Sequence, residues 1–132
     1  MIFIEELASV SWRCVRFVPE GALWPDDALV QSHELRVAEI DGRAIATQRD
    51  VFDAVSDAFL FPDYFGFNWD SLEECLRDLE WVPAKGYVLR VRGSTELWQR
   101  SSAVAGALVE SWLVAAEHWA EDEVSFVLVF GM

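Results

Sequence analysis

Pro62-Asp63-Tyr64-Phe65-Gly66-Phe67-Asn68-Trp69-Asp70-Ser71-Leu72-Glu73-Glu74-Cys75-Leu76 is the stretch on which the reading of this chain turns. Its first part is rich in turn formers and aromatic residues. It then passes into a predicted helix near 69–80, for which Asn68 is a good cap and Asp70 a favourable first-turn acid. At 100° per residue with Asp70 at zero, Leu72, Cys75, Leu76 and Leu79 fall at about 200°, 140°, 240° and 180°, forming a buried stripe. Glu73, Glu74, Arg77 and Asp78 fall at about −60°, 40°, −20° and 80°, on the side of Asp70 that faces solvent. A solvated surface is the ordinary use of such a face. Two features argue for more. Carboxylates four apart, such as Asp70 and Glu74, destabilise a helix by about 0.2–0.5 kcal/mol. The aromatics immediately before the helix (Tyr64, Phe65, Phe67, Trp69) make an interface composition with those acids. Core packing is expected for most of them, with Tyr64 left accessible.

On the N-terminal side, Thr47 can cap a helix whose apolar positions Val51, Phe52, Val55, Ala58 and Phe59 share one face, ended by Pro62. Leu35–Asp41 reads as a strand closed by the turn pair Asp41-Gly42. On the C-terminal side, Gly86–Arg92 reads as a second strand. A helical region from about Ser94, capped by Ser94 or Thr95, carries the stripe Val104, Leu108, Trp112, Ala115 and Trp119. Val124–Phe130 resembles a strand covered on both faces. The order β-α-α-β-α-β predicts an α/β fold with a small parallel sheet. In front of it, residues 10–18 alternate like a strand and residues 19–34 read as a Pro-containing linker. Residues 1–34 are therefore an expected N-terminal β extension on a domain spanning 35–132, with 10–18 on a sheet edge.

The 132 residues suit one domain, and 53% hydrophobic content excludes a disordered chain. The net charge of −13 disfavours direct nucleic-acid binding and favours a basic protein, a cationic ligand or a metal. That charge is concentrated: residues 50–80 hold nine acids and one base, a balance of −8. The apolar runs fall short of the ~20 residues of a membrane span, and the N-terminus lacks secretory-signal features. Two cysteines, Cys14 and Cys75, are no disulfide framework, so a cytoplasmic, reduced protein is expected.

An enzyme is not expected. Asp70 and Glu74 as an acid/base pair lack the burial that raises one carboxyl pKa. His33 and His118 have no nucleophile in a recognisable arrangement, and Cys75 lies on the apolar stripe as an inert thiol. No Walker loop, dinucleotide fingerprint, zinc-protease or EF-hand pattern occurs, and no cofactor or metal is expected.

The central stretch, in its order and spacing, resembles the signature of the barstar family of intracellular ribonuclease inhibitors, and the resemblance covers about residues 35–132. It implies a three-stranded parallel sheet with helices packed on it. It also implies a protein, monomeric when free, that plugs the active site of a basic secreted ribonuclease, one carboxylate taking the place of an RNA phosphate. That position matches Glu74. The other contact positions fall on Tyr64, Asn68, Asp70, Glu73, Arg77 and, through a looser C-terminal alignment, Glu117; Asp78 lies on the same face. The chain departs from the family pattern by having Glu where Asp is usual at 74, Glu73 in place of Trp, and Arg77 in place of a small polar residue. An arginine facing a basic nuclease is unfavourable unless it pairs with Glu73, Glu74 or an acid of the partner. An immunity or regulatory protein of the same fold with a non-ribonuclease target is the alternative function.

Overall fold

A computed structural model describes all 132 residues. Its frame is a parallel sheet of β1 (Val15–Val18), β2 (Leu35–Asp41), β3 (Gly86–Arg92) and β4 (Ser125–Gly131), in the order β1-β4-β3-β2. The sheet has four strands where three were expected. The reason lies in β4: all seven of its residues are buried, so it needs a partner along both edges. On one side β3 aligns Gly86 with Ser125. On the other, β1 aligns Val15 with Leu128 and Val18 with Gly131. The segment before residue 35 thus supplies an edge strand of this sheet. The strand begins at Val15 rather than Val10, and Val10 and Trp12 stand exposed.

Helices α3 (Gln48–Ala58), α4 (Trp69–Asp78) and α6 (Ser102–Glu121) contribute Phe52, Leu72, Leu76, Leu108 and Trp112 to one core, packed against Tyr87, Leu89, Phe126 and Leu128 of the sheet. Trp112 stacks on Phe126 with ring centroids 4.0 Å apart, and its indole N–H donates to the Phe126 carbonyl. The opposite sheet face is covered by the N-terminal residues: Ile2 and Leu7, the latter on α1 (Ile4–Ala8), pack on Val88, Val127 and Val129. Glu6 anchors α1 by an ion pair of 2.6 Å to Arg16 of β1. A second short helix, α2 (Asp27–Ser32), buries none of its residues.

The expected starts of α3 and α4 are observed. Thr47 accepts from the Asp50 amide, while the Asp50 carboxylate accepts from the amides of Ala46 and Thr47 at 2.9 and 3.0 Å. Those bonds hold the Asp50 pKa below the usual carboxylate range. The α3 stop is earlier than Pro62, at Leu60, whose φ of 54° breaks the helical path. The helical region after β3 is two helices, α5 (Ser94–Arg100) and α6, divided at Ser101. Gly93, at φ 60°, takes the cap position rather than Ser94 or Thr95, and a left-handed residue there suits glycine. Ser101 donates to the Ala46 carbonyl and Arg100 to those of Arg43 and Ile45. These bonds tie the α5–α6 break to the loop before α3. No helix is long and apolar enough to cross a membrane.

Candidate functional site

The loop 59–68 and helix α4 form one surface, and its geometry starts at the cap. Asn68 accepts from the Ser71 amide at 2.8 Å and donates to the Gly66 carbonyl at 3.2 Å. Ser71 in turn accepts from the Gly66 amide at 2.8 Å. These bonds fold the loop back onto the helix start and hold Phe67 at φ 54°. A left-handed conformation costs a non-glycine residue about 1–2 kcal/mol, so the network and ring contacts around it must outweigh that strain. The Phe67 ring lies 4.7 Å from Phe65, and the Arg49 guanidinium sits 4.2 Å above it. Trp69 packs edge-on to Phe52 and donates to Gln48 of α3 at 3.1 Å.

Tyr64 stands 62% exposed, as expected, and Phe67 joins it at 39% where core packing was expected. Phe65 is buried and Trp69 half-buried. The Tyr64 hydroxyl donates to Asp78 at 3.1 Å, joining the loop to the far end of α4. Loss of surrounding water and that bond to a carboxylate push the phenol pKa up to about 12. The other edge of the Tyr64 ring meets Trp81, 6.3 Å between centroids.

Asp70, Glu74 and Arg77 are exposed and Glu73 is half-buried, with the buried stripe made by Leu72, Cys75, Leu76 and Leu79. Arg77 pairs with neither Glu73 nor Glu74. Of the nine acids in residues 50–80, only Asp53 has an ion partner, Arg49 at 3.0 Å. The face is therefore a negative surface left unneutralised by the protein's own cations, nine of which lie outside residues 50–80.

Two of the expected contact residues have a distinct placement. Each polar end of the exposed Asn68 side chain makes one hydrogen bond inside the loop, which braces the face and leaves one donor and one acceptor site open. Glu117 stands apart from the group. It lines a groove with Val10, Trp12 and Leu113, about 200° round α6 from Trp119, whose indole reaches the Leu76 carbonyl of α4 at 2.7 Å. Ser71, Gln48 and Arg49 shape the surface and were not singled out from the sequence. A serine three after a cap is a weak signal, and the two α3 residues arrive only through folding. The Cys75 thiol is buried, and desolvation pushes its pKa up to about 11, opposite to an activated nucleophile.

The barstar family model, described as barstar (barnase inhibitor), matches residues 35–131. The chain belongs to the barstar family. No curated protein matches the chain significantly. The barstar match takes in β2 to β4, α3 to α6 and the whole 59–78 surface, and it leaves out α1, β1 and α2.

Proposed function

We propose that this barstar-family protein inhibits a basic ribonuclease by seating the 64–78 surface in the nuclease active site. The observation that carries the reading is the unneutralised acidic face of α4 beside the exposed rings of Tyr64 and Phe67. A nuclease site is built to hold phosphate with Arg, Lys and His groups. An array of carboxylates on a rigid helix presents the complementary charge, and the flanking rings add apolar contact. Glu74, near the centre of the face and exposed, takes the place of an RNA phosphate. Asp70, Glu73 and Asp78 add field around it, Tyr64 is a ring anchor, and Asn68 holds the loop. Arg77 is paired by an acid of the partner. The protein acts as a monomer in the cytoplasm, where its two unpaired cysteines stay reduced.

The test is an inhibition titration of a panel of small basic microbial ribonucleases. Stoichiometric suppression of RNA cleavage by at least one member is the expected result. Tight binding of a basic protein without loss of nuclease activity would favour the non-ribonuclease role instead.

A further inference from the structure

Beyond the acidic face, Arg36 of β2 is a cation with nothing to hold. Its guanidinium makes no ion pair, and its Nε is sealed from solvent with no hydrogen-bond partner. Two polar side chains near it are engaged elsewhere. Glu34 bonds Lys85 at 2.6 Å, and the Tyr87 hydroxyl beside Arg36 in the sheet register donates to the Val82 carbonyl at 2.9 Å. Arg36 lines an open groove of about 640 Å³ between α2 and the segment 81–84, with Val30 and Gln31 on one wall and Trp81 and Pro83 on the other. Because α2 buries none of its residues, it stands beside the sheet edge without closing the groove.

The Nε is out of a ligand's reach, but the two terminal nitrogens of the guanidinium carry no partner either, and a planar carboxylate accepts two parallel charge-assisted bonds from them. The indole and proline walls suit a flat or branched apolar body. We propose that this groove binds a carboxylate carrying an apolar or aromatic group, with Arg36 as the anion-binding residue. The shared chemistry belongs both to small organic acids and to the free C-terminus of a peptide. Asp27 also lines the groove without pairing with Arg36, and its charge keeps the affinity for a minimal ligand modest, about 1 mM for ten heavy atoms. The site is independent of the nuclease reading, so a failed inhibition titration leaves it standing.

The test is an NMR titration of the full chain, at constant ionic strength, with phenylacetate and its neutral isostere phenylacetamide. Phenylacetate should saturably shift the ring signals of Trp81, which lines the groove while its N–H is held by the Phe59 carbonyl; the fully buried Trp112 indole should stay put. Phenylacetamide should bind at least tenfold more weakly. Arg36→Gln should weaken phenylacetate at least tenfold with the Trp112 signal retained. Should that variant not fold, Gln31→Glu, which offers Arg36 a carboxylate from an exposed position, should weaken binding comparably. The tripeptide Gly-Gly-Phe with a free or an amidated C-terminus separates the sources. Tighter binding than phenylacetate by the free form alone identifies a chain terminus, and no binding by either form identifies a small acid. The proposal is overturned if phenylacetate gives no saturable shift up to about 20 mM, if the amide binds equally, or if a folded Arg36→Gln binds as wild type.

Discussion

Truncating Leu7 to alanine tests whether the residues before the family match are part of the folded body. Leu7 is 1% exposed and sits in a small cluster with Ile2, Val88, Val127 and Val129 on the second face of the sheet. Leu→Ala at a buried site costs about 2–5 kcal/mol, transfer and cavity together. The cluster has only five members and lies under a five-residue helix, so the void can partly collapse. The lower half of that range, about 2–3 kcal/mol, therefore applies. For a chain of this size, 1 kcal/mol moves the melting temperature by about 3–5 °C, so a drop of roughly 6–15 °C is expected in a calorimetric or far-UV melt. Leu29→Ala is the control: Leu29 is 38% exposed on α2, and its loss should stay within about ±0.5 kcal/mol. A Leu7→Ala melt within about 2 °C of wild type would refute the packing of α1 on the sheet.

Other consequences follow from the cap, the phenol and the field. Asn68→Ala removes the cap acceptor of α4 and should cost about 1 kcal/mol in denaturant unfolding, with weakened inhibition because Phe67 is no longer held. The raised pKa of Tyr64 means that its bond to Asp78 is intact below about pH 10, the unfolded value, and is lost as pH climbs toward about 12. Burial raises the Tyr87 phenol as well, so the Tyr64 step is read at 295 nm as the difference between wild type and Tyr64→Phe; it should lie near pH 12, and a difference step at pH 10 would contradict the raised value. Association with a verified nuclease should be steered, reaching ~10⁸–10⁹ M⁻¹s⁻¹ at low salt, a range set in part by a barstar complex. A stopped-flow rate that does not fall between low and high salt would contradict the role of the unneutralised face.

The parts of the fold that sequence reasoning located best are those where local chemistry and tertiary packing agree. Leu35–Asp41 and Gly86–Arg92 are strands with the expected ends, and Thr47 and Asn68 cap helices as their side chains allow. The N-terminal strand was legible only in part. Alternation marked residues 10–18, but only Val15–Val18 pairs, against Leu128–Gly131 of β4. Helices α1 and α2, of five and six residues, are too short for periodicity to show. The break at Ser101 arises from bonds to residues some 55 positions away in the chain, which no local pattern records. At the site, the wheel separated the buried from the solvent side of α4. It could not show that Asn68 also braces the loop through Gly66, that Phe67 is forced outward, or that Glu117 faces elsewhere.

The most direct measurement is the inhibition constant of Glu74→Ala against a nuclease that the wild-type protein blocks. Glu74 is exposed and makes no ion pair in the free protein, so the variant should melt within about ±0.5 kcal/mol of wild type. In the complex, its removal leaves desolvated nuclease cations unpaired, a loss of ~2–5 kcal/mol or more, on a scale for which barstar complexes are themselves a reference. That is a rise of roughly 30- to several thousand-fold in the inhibition constant, carried mainly by the off-rate. An inhibition constant within about threefold of wild type, worth under ~1 kcal/mol, would mean that Glu74 does not occupy the phosphate position.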